Sequence, residues 1–321
     1  MSSPFSGEVL RELVTANLAV DGDRLRFEPI RTGKHNHSYF VHTDREEVVL
    51  RIAPLQEGML FYERDMMAQE PPLHALLRAE TRVPVAEIYA YDETHALIDR
   101  SFMLMERLPG RALSEMPGLP ARRIDGVLEQ VGDCLRQMHA LHAEDYGYLG
   151  AHRPMAPQPT WWEAFRVMWN ALLDDVEAAG GYTTEEADFL RSLLDLYRGQ
   201  FRPVAASLLH MDVWGQNILV DETGRLTGLV DLDRALWGDP EIEFAVLDYC
   251  GISEPAFWAG YGQQRDTSPA AQIRQRFYLL YEVQKYIVIR RLRRNDRAGA
   301  ERYREQSLRL AMALARGVDE D

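Results

Sequence analysis

Cysteine is nearly missing from this 321-residue chain, with Cys134 and Cys250 the only two. They supply neither a disulfide framework nor the paired spacing of a zinc site, and so scarce a thiol content suits a reducing cytoplasm. Long apolar runs are missing too: no window of about eighteen apolar residues occurs, so no membrane-spanning helix is expected. The opening MSSPFSGEVL lacks the basic stretch and apolar core of a secretory signal. These absences predict a soluble, cytoplasmic protein. Basic residues are in deficit, 36 Lys and Arg against 50 Asp and Glu, for a formal net charge of -14. That is the wrong sign for gripping a nucleic-acid backbone, while a cationic small-molecule partner is permitted. With 46% hydrophobic and 27% charged residues the chain can fold around packed cores, and its length allows two domains or one bilobal unit.

The first hundred residues carry short β-rich runs: RLRFEPI, SYFVHT, EVVLRIAP, AEIYAYD and SFMLMERL. Between the third and fourth lies FYERDMMAQEPPLHALLRAE, helical in pattern, which Pro71 and Pro72 should split or kink. This half reads as a small antiparallel sheet with one helix against it. Pro109 and Gly110 mark a linker near Glu106 to Leu113. Beyond it come long helices, first Ile124 to His142, with Val127, Val131, Leu135, Met138 and His142 on one face. Others are expected at Trp161 to Ala179, Thr184 to Phe201, Ala270 to Arg294 and Arg297 to Arg316. Two strand-like runs, NILVD and LTGLVDL, joined by the turn DETGR, interrupt them. The organisation is therefore α+β, with a sheet-bearing unit over 1–105, a linker over 106–113 and a mainly helical unit over 114–321.

The chemistry concentrates in LLHMDVWGQNILVDETGRLTGLVDLDRALWGDP, which holds His210, Asp212, Asn217, Asp231 and Asp233. Asp212 and Asn217 flank a loop leading into one strand and Asp231 ends the next, so a hairpin brings all three to one edge. Hard oxygen ligands without thiolates favour Mg2+, held by one or two carboxylates together with substrate phosphates. That combination points to phosphoryl transfer, in which a protein supplies position, metal ions and a carboxylate for the acceptor hydroxyl's proton. Any single Asp at a strand end is more often a turn former or helix cap, and Asp239 before Pro240 is read as such a cap. MLMERL and PTWWEAFRVMW read as core or cleft lining, and RRLRRNDR as a solvated helix end. A rival reading gathers HMD with His35 and His37 as ligands of a transition-metal hydrolase, but no helical His-Glu-x-x-His or Cys pair accompanies them.

His210, Asp212 and Asn217 in the pattern His-x-Asp-x4-Asn, then Asp231, then WGDPEIEFA, resemble the aminoglycoside phosphotransferase and choline kinase superfamily, relatives of the protein kinases. Upstream VVLRIAP, VPVAEI, FMLMERLPGRAL and CLRQMHALH fall in that family's order, so the likeness covers roughly residues 25–250. The resemblance implies a bilobal, protein-kinase-like fold that transfers the γ-phosphoryl of ATP, or of GTP, to a hydroxyl of a small molecule. It makes Asp212 the catalytic base and Asn217 with Asp231 the magnesium ligands. Apart from the resemblance, His210 is expected to hydrogen-bond the loop to hold Asp212, and Asp233, whether behind the ligands, facing substrate or solvated, stays outside the metal site. Arg51 stands where many members have the Lys that grips the α and β phosphates; its acidic partner is Glu70, or alternatively Glu63. RTGKHNHSYF, with Gly33 its one glycine, would cover the phosphates, and adenine would meet the Glu106 carbonyl and Leu108 amide. Arg51 and the single-glycine loop keep open a non-catalytic, nucleotide-binding pseudokinase. For the acceptor, Glu163, Asp174, Asp175, Glu177, Glu241, Glu243, Asp248 and Glu254 would make an acidic wall favouring a polyamine sugar such as an aminoglycoside. The alternative is another hydroxylated metabolite of choline, homoserine, sugar or macrolide type.

Overall fold

The computed structural model describes residues 4–32 and 35–317. Side-chain alternation builds the first half. Helix α1 (Gly7–Thr15), absent from the sequence expectation, starts at Ser6, whose hydroxyl accepts from the Val9 amide. Strands β1 (Arg26–Ile30), β2 (His37–His42), β3 (Glu47–Ile52), β4 (Ile88–Asp92) and β5 (Phe102–Glu106) form an antiparallel sheet in the order β1-β2-β3-β5-β4. The period of two sends Val48, Leu50 and Ile52 to one face, packed with Leu10, Leu13 and Val14 of α1. Val49 and Arg51 are left for the other face, toward Met105 and Leu108.

Helix α2 (Glu70–Glu80) lies between β3 and β4, behind a 3-10 turn at Met66–Gln69. Pro71 and Pro72 neither split nor kink it, because they occupy its first turn, where a fixed φ is compatible with the helix and the missing N–H is not needed. The connection from β3 to the 3-10 turn crosses to the other lobe. Leu60 and Tyr62 are buried in the main core of the helical half. The Phe61 amide donates to Asp175 at 2.7 Å, and Arg293 donates to the Gly58 carbonyl at 3.1 Å and to Glu63.

In the helical half come β6 (Arg111–Ala112), α3 (Ala121–His139), β7 (His142–Ala143), α4 (Trp161–Ala178) and α5 (Thr184–Leu196). His142 does not extend the apolar face of α3: the helix ends at His139, and His142 pairs with Ser207. Then follow β8 (Ala206–Leu209), β9 (Ile218–Val220), β10 (Leu226–Leu229), β11 (Leu236–Gly238), α6 (Pro240–Tyr249), α7 (Pro255–Tyr261), α8 (Pro269–Val288) and α9 (Arg297–Arg316). Helix α8 is prolonged by a π-helical segment, Ile289–Arg293. Two small sheets, β10-β9-β6 and β11-β8-β7, carry the chemistry-bearing loops. Trp161, Phe165 and Trp169 of α4 are buried against Phe277 and Tyr278 of α8, which makes PTWWEAFRVMW core. The glycine of WGDP is forced by this packing, since a Cβ on Gly238 would lie 2.3 Å from the Trp161 ring. Among the described residues no helix is long and apolar enough to cross a membrane.

Candidate active site

Strand β8 delivers His210, Met211 and Asp212 onto a loop with a left-handed residue, Met211 at φ 65°. Such a conformation costs about 1–3 kcal/mol in a non-glycine residue and needs local support. Glu243 of α6 provides it: its buried carboxylate accepts from the amides of His210 at 3.0 Å and Met211 at 2.7 Å, and from His139 Nε2 at 2.9 Å. Burial alone would lift the Glu243 carboxyl, but these donors and the His139 and His210 rings hold it below the usual range. This corrects two expectations. The loop is held through the His210 backbone rather than its ring, whose two nitrogens are buried without a hydrogen-bond partner. Glu243 braces the loop and does not line an acceptor wall.

Asp212 has both carboxylate oxygens committed. Oδ1 accepts from Arg234 Nη1 at 2.9 Å, and Oδ2 from Asn217 Nδ2 at 2.8 Å. The Asn217 amide also reaches the Asp212 carbonyl at 2.9 Å. Burial would push the Asp212 carboxyl up, but Arg234 and Lys285 outweigh it and keep the group below its ordinary value, hence ionised at neutral pH. Beneath it, Arg234 Nη2 meets Glu282 at 3.1 Å, and Glu282 meets Lys285 at 2.5 Å. Arg234 and Glu282 went unnoticed in the sequence because they act from beneath the loop, and nothing in their local spacing singles them out.

The hairpin of β9 and β10 brings Asn217, just before one strand, beside Val230, just after the other; the Val230 amide donates to the Asn217 carbonyl at 3.1 Å. Asp231 follows in a left-handed conformation, φ 71°. Its Oδ1 lies 2.5 Å from Arg51 Nη2, while Arg51 Nη1 donates to Glu70 at 2.7 Å and Asp233 stands 3.6 Å away. The helix partner of Arg51 is thus Glu70; Glu63 is taken by Arg293 and by the Leu60 amide at 2.7 Å. The same contacts make Arg293, in the run RRLRRNDR, an inter-lobe anchor rather than a solvated helix end. Burial weighs against charge on both Arg51 and Glu70, yet their pairing keeps the guanidinium up and, helped by His74, the carboxyl down. Asp233, buried beside Asp231 and Glu70, is pushed well above the carboxylate range.

Glu70, Asp231 and Asp233 can bring ligand atoms within 4.8 Å of one another, and the group contains neither His35 nor His37. Arg51 already neutralises that cluster. Asn217 and Asp231 both line a cleft of about 730 Å³ and both offer hard oxygen, which fits a magnesium site completed by phosphates. The same cleft is lined by Arg51, His35, Glu106 and Leu108, with Val49, Ala86 and Leu219 on its apolar walls. The Leu108 amide has no hydrogen-bond acceptor among the described residues. Gly33 lies outside the described residues.

The acidic wall expected for the acceptor is largely spent on structure. Glu163 accepts from the cap residue Thr160 at 2.7 Å, Asp174 pairs with Arg191 at 2.6 Å, and Glu177 accepts from Thr184 at 2.5 Å. Asp175 holds the Phe61 amide, Glu241 pairs with Arg274 at 2.7 Å, and Asp248 meets Arg265 at 2.6 Å. Glu254 is exposed at the start of α7. Asp239 caps α6, accepting from the Glu241 amide at 3.0 Å, and also accepts from Tyr278.

Two lobes joined at a linker, a five-stranded antiparallel sheet over a cleft and a loop-borne carboxylate opposite it define a protein-kinase-like α+β fold. Solved structures share it. A thermostable mutant of aminoglycoside phosphotransferase APH(4)-Ia, in ternary complex with AMP-PNP and hygromycin B, superposes with a TM-score of 0.65 at 18% identity, covering 90% of this chain and 94% of that one. APH(2″)-IIa with gentamicin gives 0.66 at 15%, covering 96% and 97%. The model of the phosphotransferase enzyme family matches residues 26–286, and the chain belongs to that family. Among curated proteins, hygromycin-B 4-O-kinase of Escherichia coli is 25% identical over 52% of this chain, which spans about half (48%) of that relative's length. "Probable ketoamine kinase VP1481" of Vibrio parahaemolyticus serotype O3:K6 is 23% identical over 78% of this chain and 82% of its own.

Proposed function

We propose that this chain transfers the γ-phosphoryl group of ATP, with GTP as the alternative donor, to a hydroxyl of a small molecule. The observation that carries the reading is Asp212: an ionised carboxylate, oriented by Arg234 and Asn217 and part-exposed, 26% by side chain, beside the Asn217–Asp231 edge of the cleft. In phosphoryl transfer most of the catalysis is positioning and charge stabilisation, so a fixed carboxylate that takes the acceptor proton suffices as base. Adenine would lie between Val49, Ala86 and Leu219, using the unpaired Leu108 amide and the Glu106 carbonyl. Arg51, clamped by Glu70, would turn toward the phosphates, with His35 lining the same cleft. Asn217 and Asp231 would hold Mg2+, which when bound neutralises charge on the β and γ phosphate oxygens. Asp231 must then exchange Arg51 for the ion. The names of the curated relatives speak for acceptors of aminoglycoside or ketoamine type. The test is a nucleotide-consumption screen over hydroxylated small molecules with magnesium present and absent. Magnesium-dependent consumption that needs an acceptor supports the reading; nucleotide binding with no transfer to any hydroxyl favours the pseudokinase instead.

A further inference from the structure

The C-terminal part of α8 and its π-helical extension run from beneath the base to the inter-lobe strap. At the near end Glu282 holds Arg234, which holds Asp212. At the far end Arg293 holds Gly58 and Glu63 of the strap. Glu282, Tyr286, Ile289 and Arg293 follow one another at helical spacing along one face, so Tyr286 lies between the anchor beneath Asp212 and the anchor of the inter-lobe strap. Tyr286 is half-buried and belongs to an aromatic cluster. Its ring lies 5.5 Å from Tyr249 at 30° and 5.0 Å from Tyr303 at 25°, and the hydroxyls of Tyr249 and Tyr303 are 2.8 Å apart. Tyr286 stands one helical turn beyond Glu282, which holds Arg234 beneath Asp212. A π-helical turn in such a place is a frequent mark of a functional site.

Along this face the charges are already matched. Glu282 has Arg234 and Lys285, Glu63 has Arg293, and Arg290 has Asp296 at 3.0 Å. An ammonium group arriving beside Tyr286 meets Glu282 and Glu63 already holding cations, while a polyol meets ring surface for its C–H groups and phenols for its hydroxyls. We infer that Tyr286, with Tyr249 and Tyr303, forms the acceptor-binding wall, and that it selects a neutral, sugar-like polyol over a polycationic one. This rests on the phosphotransfer reading and narrows its acceptor.

The experiment measures transfer from ATP in magnesium to sorbitol, myo-inositol and D-fructose, and to hygromycin B and gentamicin, with nucleotide binding followed in parallel by calorimetry. At least one neutral polyol is expected to give the higher kcat/KM. For that acceptor Tyr286→Ala raises KM about tenfold with kcat within about threefold, and Tyr286→Phe, which keeps the ring but loses the phenol, raises KM by about threefold. Preference for the polycations, transfer to the polycations alone, or an unchanged KM in Tyr286→Ala each overturns the acceptor assignment and leaves phosphotransfer standing; nucleotide binding with transfer to none of the five overturns both. A chain that binds no nucleotide overturns both.

Discussion

Arg51→Ala places a number on the charge cluster at the top of the cleft. Glu70 is fully buried, and its Oε2 has Arg51 at 2.7 Å and His74 at 3.6 Å. Removing the guanidinium strands this carboxylate, and one charge left alone from a buried pair costs about 3–5 kcal/mol. With an unfolding entropy of about 2.1 cal/mol/K per residue, each kcal/mol moves the midpoint of a 321-residue chain by about 1.5 °C, so a fall of about 4–8 °C is expected near neutral pH. The pH dependence has a definite sign. In the parent the Glu70 carboxyl is held below its ordinary value: burial opposes this, but Arg51 and His74 prevail. Its contribution is therefore present above the unfolded value and lost as pH falls through the folded one. In the variant burial is left to lift the carboxyl, so the penalty for ionised Glu70 is relieved on acidification and the gap between the two proteins narrows. Melting curves followed by circular dichroism at pH 7.5 and pH 5 measure this, with Arg51→Lys expected to fall in between because one ammonium replaces a fork. A loss below about 1 kcal/mol, or a gap that widens toward acid, refutes the reasoning.

Other expectations concern single contacts. Glu243→Ala removes the acceptor for the His210 and Met211 amides; it should lower kcat by about tenfold or more and stability by about 1–3 kcal/mol, read from turnover and melting. Asp231→Ala should abolish the tightening of ATP binding by magnesium, which calorimetry with and without the ion tests. Burial pushes the Asp175 carboxyl up to about 6 where it accepts the Phe61 amide. Because that folded value is raised, ionisation is the destabilising form. Asp175→Asn should raise Tm above pH 6, with the gain shrinking as pH falls from 6 to 4.

The sheet of the first half was legible because alternation is visible over five residues: VVLRI in β3 puts Val48, Leu50 and Ile52 on one face and Val49 with Arg51 on the other. The hairpin that juxtaposes Asn217 and Asp231 was legible from its turn chemistry. Strand β8 was not, since Ala206–Leu209 is buried throughout and carries no alternation. The electrostatics were the least legible part. Net charge said nothing about pairing, so carboxylates that brace loops and cap helices, Glu243 and Glu163 among them, were assigned to an acceptor wall. Arg234 and Glu282 are 48 residues apart and meet only through tertiary packing. The choice of Glu70 over Glu63 needed the path of the strap, which turns Glu63 toward Arg293.

Turnover by Asp212→Asn tests the central claim most directly, measured as phosphate transferred from ATP to an identified acceptor beside the Kd for ATP. The substitution keeps the shape and one acceptor for Arg234 or Asn217 but removes the charge that takes the proton. A fall in kcat of about 10² or more with Kd nearly unchanged is predicted. Turnover close to that of the parent contradicts the account.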